Sequence, residues 1–306
     1  MKIRILTPTY NEEKNIHVLH KKIQTIMSNL NLEYEHVVID NSSTDNTIKY
    51  IREIANIDKN FKAIINNRNY GQIKSPFYGL VDSDADATIL MVSDLQDPIE
   101  MIPKLIDEFK KGYEIVLLQK KHNNESLFYK IIKNNYYKLL NILSDHSPDK
   151  NVIGSGIYSL NVVNVLKNIY DPTPYLRGMI YEIGFNIKLI QFDQPKRVKG
   201  VSKNNFFSLL DYGILGIVKH TKLARFLTIF GFCFSFISLF VALIFLFLKI
   251  LFWESFSLGV APIIIGLFAL SGIQMFFLGL IGEYVIVILD YNKKLPLVIE
   301  KERINF

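Results

Sequence analysis

Cysteine is almost missing from this chain: Cys233 is the single one, and it sits inside an apolar run. That excludes a disulfide framework and any cysteine-based metal site, and it fits a reducing compartment. Tryptophan is equally scarce, with Trp253 alone, and aromatic residues do not interleave with basic ones as a single-strand binder requires. Helix-turn-helix and zinc-finger spacings are missing too, so the formal net charge of +6 does not indicate nucleic acid. Attraction to anionic lipid headgroups explains the basic excess better. No Gly-x-Gly-x-x-Gly follows the first strand-like segment, and Gly154-Ser155-Gly156 comes too late to supply it. A dinucleotide-binding reading therefore lacks its main feature. The opening Met1-Lys2-Ile3-Arg4-Ile5-Leu6 reads as a strand start and lacks the apolar stretch and cleavage site of a signal peptide. Internal repeats and low-complexity tracts are not evident.

Apolar residues are plentiful, at 49% of the chain. Nearly all acidic residues precede Asp211, and the last third is apolar with basic flanks. Residues 226–248 carry no charge, a run of about 23 and enough to cross a hydrocarbon core of roughly 30 Å. A second uncharged run spans 255–282, with apolar residues continuing past Glu283 to Leu289. The short linker at 249–254 contains Trp253, which suits an interfacial position. Lys219, Lys222 and Arg225 precede the first run, and Lys293, Lys294, Lys301 and Arg303 follow the second. The positive-inside bias puts both ends in the cytoplasm. Two buried helices of a soluble core would need shorter runs with polar faces. The expected organisation is a cytoplasmic catalytic domain at 1–205, an interfacial helix at 206–225, a two-helix transmembrane hairpin at 226–290 and a cytoplasmic tail at 291–306. The expected location is the cell (plasma) membrane.

In the first two thirds, short β-rich runs alternate with helical patterns. Strands are expected at 3–9, 36–40, 61–66, 87–92 and 113–119. A helix capped at Asn11 carries Ile16, Leu19, Ile23, Ile26 and Leu30 at helical spacing. A second helix covers 44–56, and Pro98 opens another as a good first-turn residue. Such alternation means an α/β fold with a mostly parallel sheet covered on both faces. Ligands then bind beyond the carboxyl ends of the strands. Polar clusters sit at four such ends: Thr9-Tyr10-Asn11-Glu12, Asp40-Asn41-Ser42-Ser43, Asn66-Asn67-Arg68-Asn69 and Ser93-Asp94-Leu95-Gln96-Asp97. Together they imply one shared crevice. Two later segments, 127–143 and 206–218, are amphipathic or apolar; each reads either as a packing helix or as one lying in a membrane interface.

Hard cations take carboxylate and carbonyl oxygens, and Asp94 with Gln96 supplies both types. Asp97 is a possible third ligand or the cap of the following helix. Asp40, ending a strand, is a candidate for hydrogen-bonding a base, or else a cap for the helix after it.

In order along the chain come Thr7-Pro8-Thr9-Tyr10-Asn11-Glu12-Glu13, Ile39-Asp40-Asn41-Ser42-Ser43-Thr44-Asp45, Asn67-Arg68-Asn69-Tyr70-Gly71, Ser93-Asp94-Leu95-Gln96-Asp97-Pro98 and Leu176-Arg177-Gly178. This series resembles glycosyltransferase family 2, in the branch of dolichol-phosphate mannose synthase and bacterial polyprenyl-phosphate glycosyltransferases. The basic stretch Gln194-Pro195-Lys196-Arg197-Val198-Lys199-Gly200-Val201-Ser202-Lys203 is similar to that branch's acceptor loop. The resemblance implies a GT-A-like nucleotide-sugar-binding domain and donor contacts from Pro8, Tyr10, Glu12, Asp40 and Asp94. It implies Mg2+ or Mn2+ held by Asp94 and Gln96, with Asp94 the catalytic carboxylate, and acceptor-phosphate contacts from Arg177, Arg197 and Lys203. For Arg177 a surface ion pair is the plain alternative, and for the other two general attraction to headgroups. The implied partners are a nucleotide sugar, uridine-based, a polyprenyl phosphate and a membrane, with a homo-oligomer assembled through the membrane segments. The chain departs from the family in carrying Val92 where a second acidic residue usually stands, and Lys120 and Lys121 where an arginine is often found.

The implied activity is inverting, metal-dependent transfer of a sugar to the lipid phosphate. A membrane-tethered, non-catalytic nucleotide-sugar binder is the rival of another class, motivated by Val92. A processive polysaccharide synthase would carry more spans and a Gln-x-x-Arg-Trp motif, and Trp253 lies elsewhere. A transporter is disfavoured by the lack of intramembrane charge pairs.

Overall fold

The computed structural model describes residues 1–121, 127–144, 148–194, 206–223 and 260–306, with scattered positions between 225 and 251. Strands β1 (Lys2–Thr9), β2 (Glu33–Asp40), β3 (Phe61–Asn66), β4 (Ala87–Leu90), β5 (Ile115–Lys120), β6 (Val152–Ser159), β7 (Ile187–Phe192) and β8 (Glu300–Ile304) form one sheet. Their order is β7-β5-β6-β4-β1-β2-β3-β8. β1 pairs in parallel with β2 and β4, and β2 with β3, so the carboxyl ends of four strands share one edge. β6 runs antiparallel to both β4 and β5, and β8 antiparallel to β3.

Successive strand residues point to opposite faces, and both faces here are buried. Ile3, Ile5, Val38, Ile89 and Ile157 pack with one layer of apolar residues, while Leu6, Val37, Ile39, Leu90 and Tyr158 pack with another. Helices α1 (Ile16–Leu30), α2 (Thr47–Ile57) and α4 (Ile102–Lys110) contribute to the first layer. Helices α3 (Gly71–Val81), α6 (Leu160–Asn168) and α7 (Leu176–Glu182) contribute to the second. The α1 stripe Ile16, Leu19, Ile23 and Met27 is buried at the spacing of an amphipathic helix.

The structure corrects three helix starts. α2 begins at Thr47 rather than 44, and α4 at Ile102, after the single turn Ile99–Met101 that Pro98 precedes. α1 begins at Ile16 with Asn15 before it, not at Asn11. Asn11 adopts φ 54, and its side chain accepts from the Thr44 amide at 2.8 Å. The cross-loop bond outweighs local capping. α3 was not expected, because Gly71 at its start and Pro76 inside it break the helical pattern in sequence.

Gly156 has a requirement of its own. A Cβ there would stand 2.2 Å from the Val116 carbonyl oxygen, so the β5–β6 approach admits only glycine.

A charge network lies across β1, β2 and β3. Arg4 and Glu35, each 3% exposed, form an ion pair, and Lys62 and Lys2 reach Glu35 at 3.0 Å and 3.1 Å. Burial alone would raise the pKa of Glu35, but Arg4, Lys62 and Lys2 bring it down to about 2.

The chain divides into two compact units. One comprises Met1–Lys138, His146–Tyr212 and Leu295–Phe306, so the segment expected as a tail contains β8 and belongs to the sheet. Arg303 binds Asp82 at 2.7 Å and Glu300 at 2.6 Å. Asn305 donates to the carbonyls of Ala55 and Phe61 at 2.7 Å and 2.9 Å.

The other unit comprises Leu139–Asp145 and Gly213–Lys294. It contains the end of α5 (Leu127–Leu143), most of α8 (Phe206–His220) and α9 (Val260–Lys293). Within it the Lys222 amide donates to the Leu143 carbonyl at 2.7 Å, and Lys219 stands 5.3 Å over the Tyr291 ring. Among the described residues no helix is long and apolar enough to cross a membrane. The run 226–248, expected as the first span, lies largely outside those residues, as do Trp253 and the start of the second run.

Candidate active site

The four polar clusters meet at the edge formed by the carboxyl ends of β1 to β4, as the alternating pattern implied. The Asn41 amide donates to the Thr9 carbonyl at 2.9 Å, and Ser93 Oγ donates to the Pro8 carbonyl at 3.0 Å. Asn11 N donates to Ser43 Oγ and Glu12 N to Thr47 Oγ1, both at 2.8 Å. The Glu12 carboxylate itself accepts from Asn15 Nδ2 at 2.6 Å. Tyr10 is half-buried on the same loop.

Asp40 is 0% exposed. Its Oδ1 accepts from Ser43 N at 2.9 Å, and Ser43 Oγ donates to Oδ2. Burial raises its pKa, against the lowering effect of those bonds. The carboxylate shapes the loop before α2, the plainer of the two roles open from sequence, and stands at the foot of the crevice.

Asn41 was not singled out from sequence, yet it organises the neighbouring loop. Its Oδ1 accepts from Tyr70 N at 2.8 Å and Asn66 Nδ2 at 3.2 Å, and its Nδ2 donates to Asn69 Oδ1 at 2.8 Å and the Gly71 carbonyl at 3.1 Å. That holds the 67–71 loop against β2 and presents Arg68, exposed and 4.4 Å over the Tyr70 ring. The sequence signal for both was the Asn-Arg-Asn-Tyr-Gly stretch with Asn41 beside Asp40.

At the β4 exit, Asp94 and Gln96 are half-buried and Val92 is exposed beside them. Asp94 Oδ1 accepts from Gln96 N at 3.1 Å, and Leu95 between them adopts φ 60. A leucine in the left-handed region is strained, so the surroundings enforce this turn. Asp97 supplies part of that constraint. It is 4% exposed, takes a hydrogen bond from Ser155 Oγ on β6 and accepts from Val92 N at 3.3 Å. Burial raises its pKa against those two donors. Asp97 is therefore a buried brace between the turn and β6, neither the helix cap nor the solvent-facing ligand.

Among the described residues no group of three or more His, Cys, Asp or Glu side chains could hold a metal ion by itself. The donors available at the turn are the Asp94 carboxylate and the Gln96 amide. Both are hard oxygen donors, a chemistry that fits a divalent cation whose shell is completed by ligand oxygens and water.

Arg177 lies in the first turn of α7 and is exposed. Among the described residues no carboxylate pairs with it, and its guanidinium lies 5.9 Å from the centre of the Tyr175 ring. Arg197 and Lys203 lie outside the described residues.

The family model of glycosyl transferase family 2 matches residues 4–180, which spans every cluster at this edge. The chain belongs to glycosyl transferase family 2. As a family 2 member it is a glycosyltransferase, and the rival of a non-catalytic binder falls away. The bactoprenol glucosyl transferase of Shigella phage SfV is 28% identical over 292 residues, covering 93% of this chain and 93% of the relative. The undecaprenyl-phosphate 4-deoxy-4-formamido-L-arabinose transferase of Proteus mirabilis is 27% identical over 292 residues, 93% of this chain and 88% of the relative. Among solved structures, glucosyl-3-phosphoglycerate synthase from Mycobacterium tuberculosis, crystallised with Mn2+, UDP-glucose and phosphoglyceric acid, shares the fold. Its TM-score is 0.51 at 18% identity, covering 71% of this chain and 77% of that one. The α/β, GT-A-like architecture with its mostly parallel sheet is thus the one this family 2 transferase uses.

Proposed function

We propose that this transferase moves a sugar, a hexose carried on a uridine diphosphate, to a polyprenyl phosphate at the cytoplasmic face of the cell membrane. The observation that carries the reading is the extent of the likeness to two relatives named for lipid-phosphate acceptors. It covers 93% of the chain and so runs past the catalytic fold into the apolar segment. The crevice supports the donor half of the reading: Asp40, Arg68 and Asp94 follow β2, β3 and β4 at one edge of the sheet, where a guanidinium and the oxygen donors of the Asp94 turn suit a diphosphate and its cation. Arg177 supports the acceptor half, because a guanidinium with no carboxylate partner among the described residues presents its planar donor fork to phosphate oxygens.

The membrane reading draws on two further features. On α9, Ile263, Leu267 and Leu278 are 64%, 62% and 61% exposed, and a helix apolar all round suits an apolar surround. Before the apolar segment the chain belongs to the sheet unit, and afterwards it rejoins it through β8. A segment that leaves and returns to one unit crosses a bilayer an even number of times, which matches a two-span hairpin with both flanks cytoplasmic. Homo-oligomerisation through those spans belongs to the same proposal.

A phosphate monoester is largely ionised near neutral pH, its second pKa being about 6, so its oxygen attacks the anomeric carbon without a strong base. The new bond forms as the bond from that carbon to the diphosphate breaks, and the nucleoside diphosphate leaves; a single displacement inverts the configuration. Alignment and charge stabilisation then carry the rate. Asp94 and Gln96 would hold a divalent cation, Mg2+ or Mn2+, which supplies positive charge against the departing diphosphate.

The test is mass spectrometry of lipid products from the full-length protein given undecaprenyl phosphate, a mixture of nucleotide sugars and Mg2+ or Mn2+. A glycosylated lipid is expected, lost on chelation and reduced about 100-fold or more by Asp94→Asn. NMR of the product should show inversion. Nucleoside diphosphate release with no lipid product would overturn the acceptor, and full activity in chelator would overturn the cation.

A further inference from the structure

Around Arg177 the fold gathers tyrosines where an ion pair would ordinarily place carboxylates. Tyr175, immediately before α7, has its ring centre 5.9 Å from the guanidinium and shares a side-chain hydrogen bond with Tyr136 of α5. Tyr137 meets Tyr136 edge-on, with ring centres 5.6 Å apart. Tyr158 on β6 is 0% exposed, donates its hydroxyl to the Gly154 carbonyl at 2.6 Å and feels the charge of Arg177. Asp149 nearby is engaged by the Tyr181 hydroxyl at 3.0 Å.

The arrangement has a chemical consequence. A carboxylate beside Arg177 would neutralise it and compete with an incoming anion. Neutral rings around the guanidinium leave its charge available. Burial keeps Tyr136 and Tyr158 well above the ordinary tyrosine range, so both stay neutral. The same strand that receives Tyr158 also donates from Ser155 to Asp97, which braces the Asp94 turn. β6 thus connects the tyrosine cluster to the other half of the site.

We propose that Tyr136 and Tyr175 are positioning residues that hold the Arg177 guanidinium for the phosphate of the acceptor, through a hydroxyl pair contributed by α5 and the start of α7. This rests on the assignment of Arg177 to the acceptor phosphate in the proposed function. It adds the device that keeps that side chain aimed and unneutralised.

Steady-state kinetics of the full-length protein with undecaprenyl phosphate, and a nucleotide sugar it turns over, test the idea. The variants are Tyr136→Phe, Tyr175→Phe, Arg177→Ala and the double Tyr175→Phe/Arg177→Ala. Each tyrosine variant keeps its ring, so thermal stability should hold while the acceptor KM rises about 5-fold and the donor KM stays put. In the Arg177→Ala background, Tyr175→Phe should add less than about 2-fold, because both act through one group. Additive effects in the double variant would overturn the inference, and so would equal rises in both KM values, which signal a merely structural role. If Arg177→Ala raises the acceptor KM and the tyrosine variants do not, the positioning role alone fails. If Arg177→Ala leaves the acceptor KM unchanged, the phosphate assignment fails and takes the inference with it.

Discussion

The sheet unit and the apolar unit use the same side chains in opposite ways. Ile3, Ile5, Leu19 and Ile23 are 0% exposed, whereas Ile263, Leu267 and Leu278 on α9 are 64%, 62% and 61% exposed. In the sheet unit, apolar positions alternate along strands and recur along helix faces, so the residues of those stripes cover one another. On α9 the described apolar residues, Ile263, Leu267 and Leu278 among them, lie exposed along its length. The first pattern closes a core by itself; the second needs something else to cover it. The proposed membrane anchor rests on that difference.

Paired substitutions test the contrast most directly. Ile5→Ala should cost about 3–4 kcal/mol of sheet-unit stability by opening a cavity. Leu278→Ala should cost within about 0.5 kcal/mol in the same measurement. Denaturant unfolding followed on the sheet unit gives both numbers, and comparable losses would erase the distinction. Gly156→Ala comes next, at about 3 kcal/mol, since the new methyl must displace the Val116 backbone; a variant that melts with the parent would show that β5 and β6 yield easily.

Arg303→Ala tests whether the last strand belongs to the sheet unit in energy as well as in pairing. The side chain is 35% exposed, which limits the loss to about 1 kcal/mol. Faster proteolysis of residues beyond Leu295 should accompany it.

The smallest effect expected is on pH. Burial is the main cause lowering the pKa values of His20 and His36, with Asp58 partly opposing it at His20 and mutual repulsion adding to it at His36. The ring nitrogens of the pair stand 3.0 Å apart, His36 also meets Thr7 Oγ1 at 3.0 Å, and His20 lies 3.3 Å from Asp58. Groups depressed on folding contribute stability above the unfolded pKa of about 6.5 and lose it as pH falls toward the folded value. Melting points should therefore decline between pH 7 and pH 5, and His36→Leu should flatten that slope. Glu35, held at about 2, adds its own loss only below about pH 4.5. The apolar unit should show no matching trend.

Much of the sheet was legible in the chain. β3 runs from Phe61 to Asn66, as its β-rich run between turn residues implied, and β1 and β2 end at Thr9 and Asp40. α5 covers Leu127–Leu143, where its apolar spacing placed it. α3 escaped because Pro76 disrupts the pattern that tertiary packing then restores. β8 opens with four consecutive charged residues, Glu300 to Arg303, at a sheet edge, a pattern that also describes a solvated tail. For the site, Asp94 and Gln96 were legible as oxygen donors after a strand. The roles of Asp97 and Asn41 were not, because each depends on partners distant in sequence: Ser155 for one, and Asn66 and Asn69 for the other.

Sequence alone determined the strand–helix alternation, the polar residues at successive strand ends and the two long uncharged runs, because periodicity and run length are local properties. Only the tertiary structure decided that the chain returns through β8 to the sheet it left, that Asp97 faces inward against Ser155, and that tyrosines surround Arg177. Those outcomes follow from strand pairing and burial between segments far apart in the chain, where local propensity carries no information about which side chain meets which.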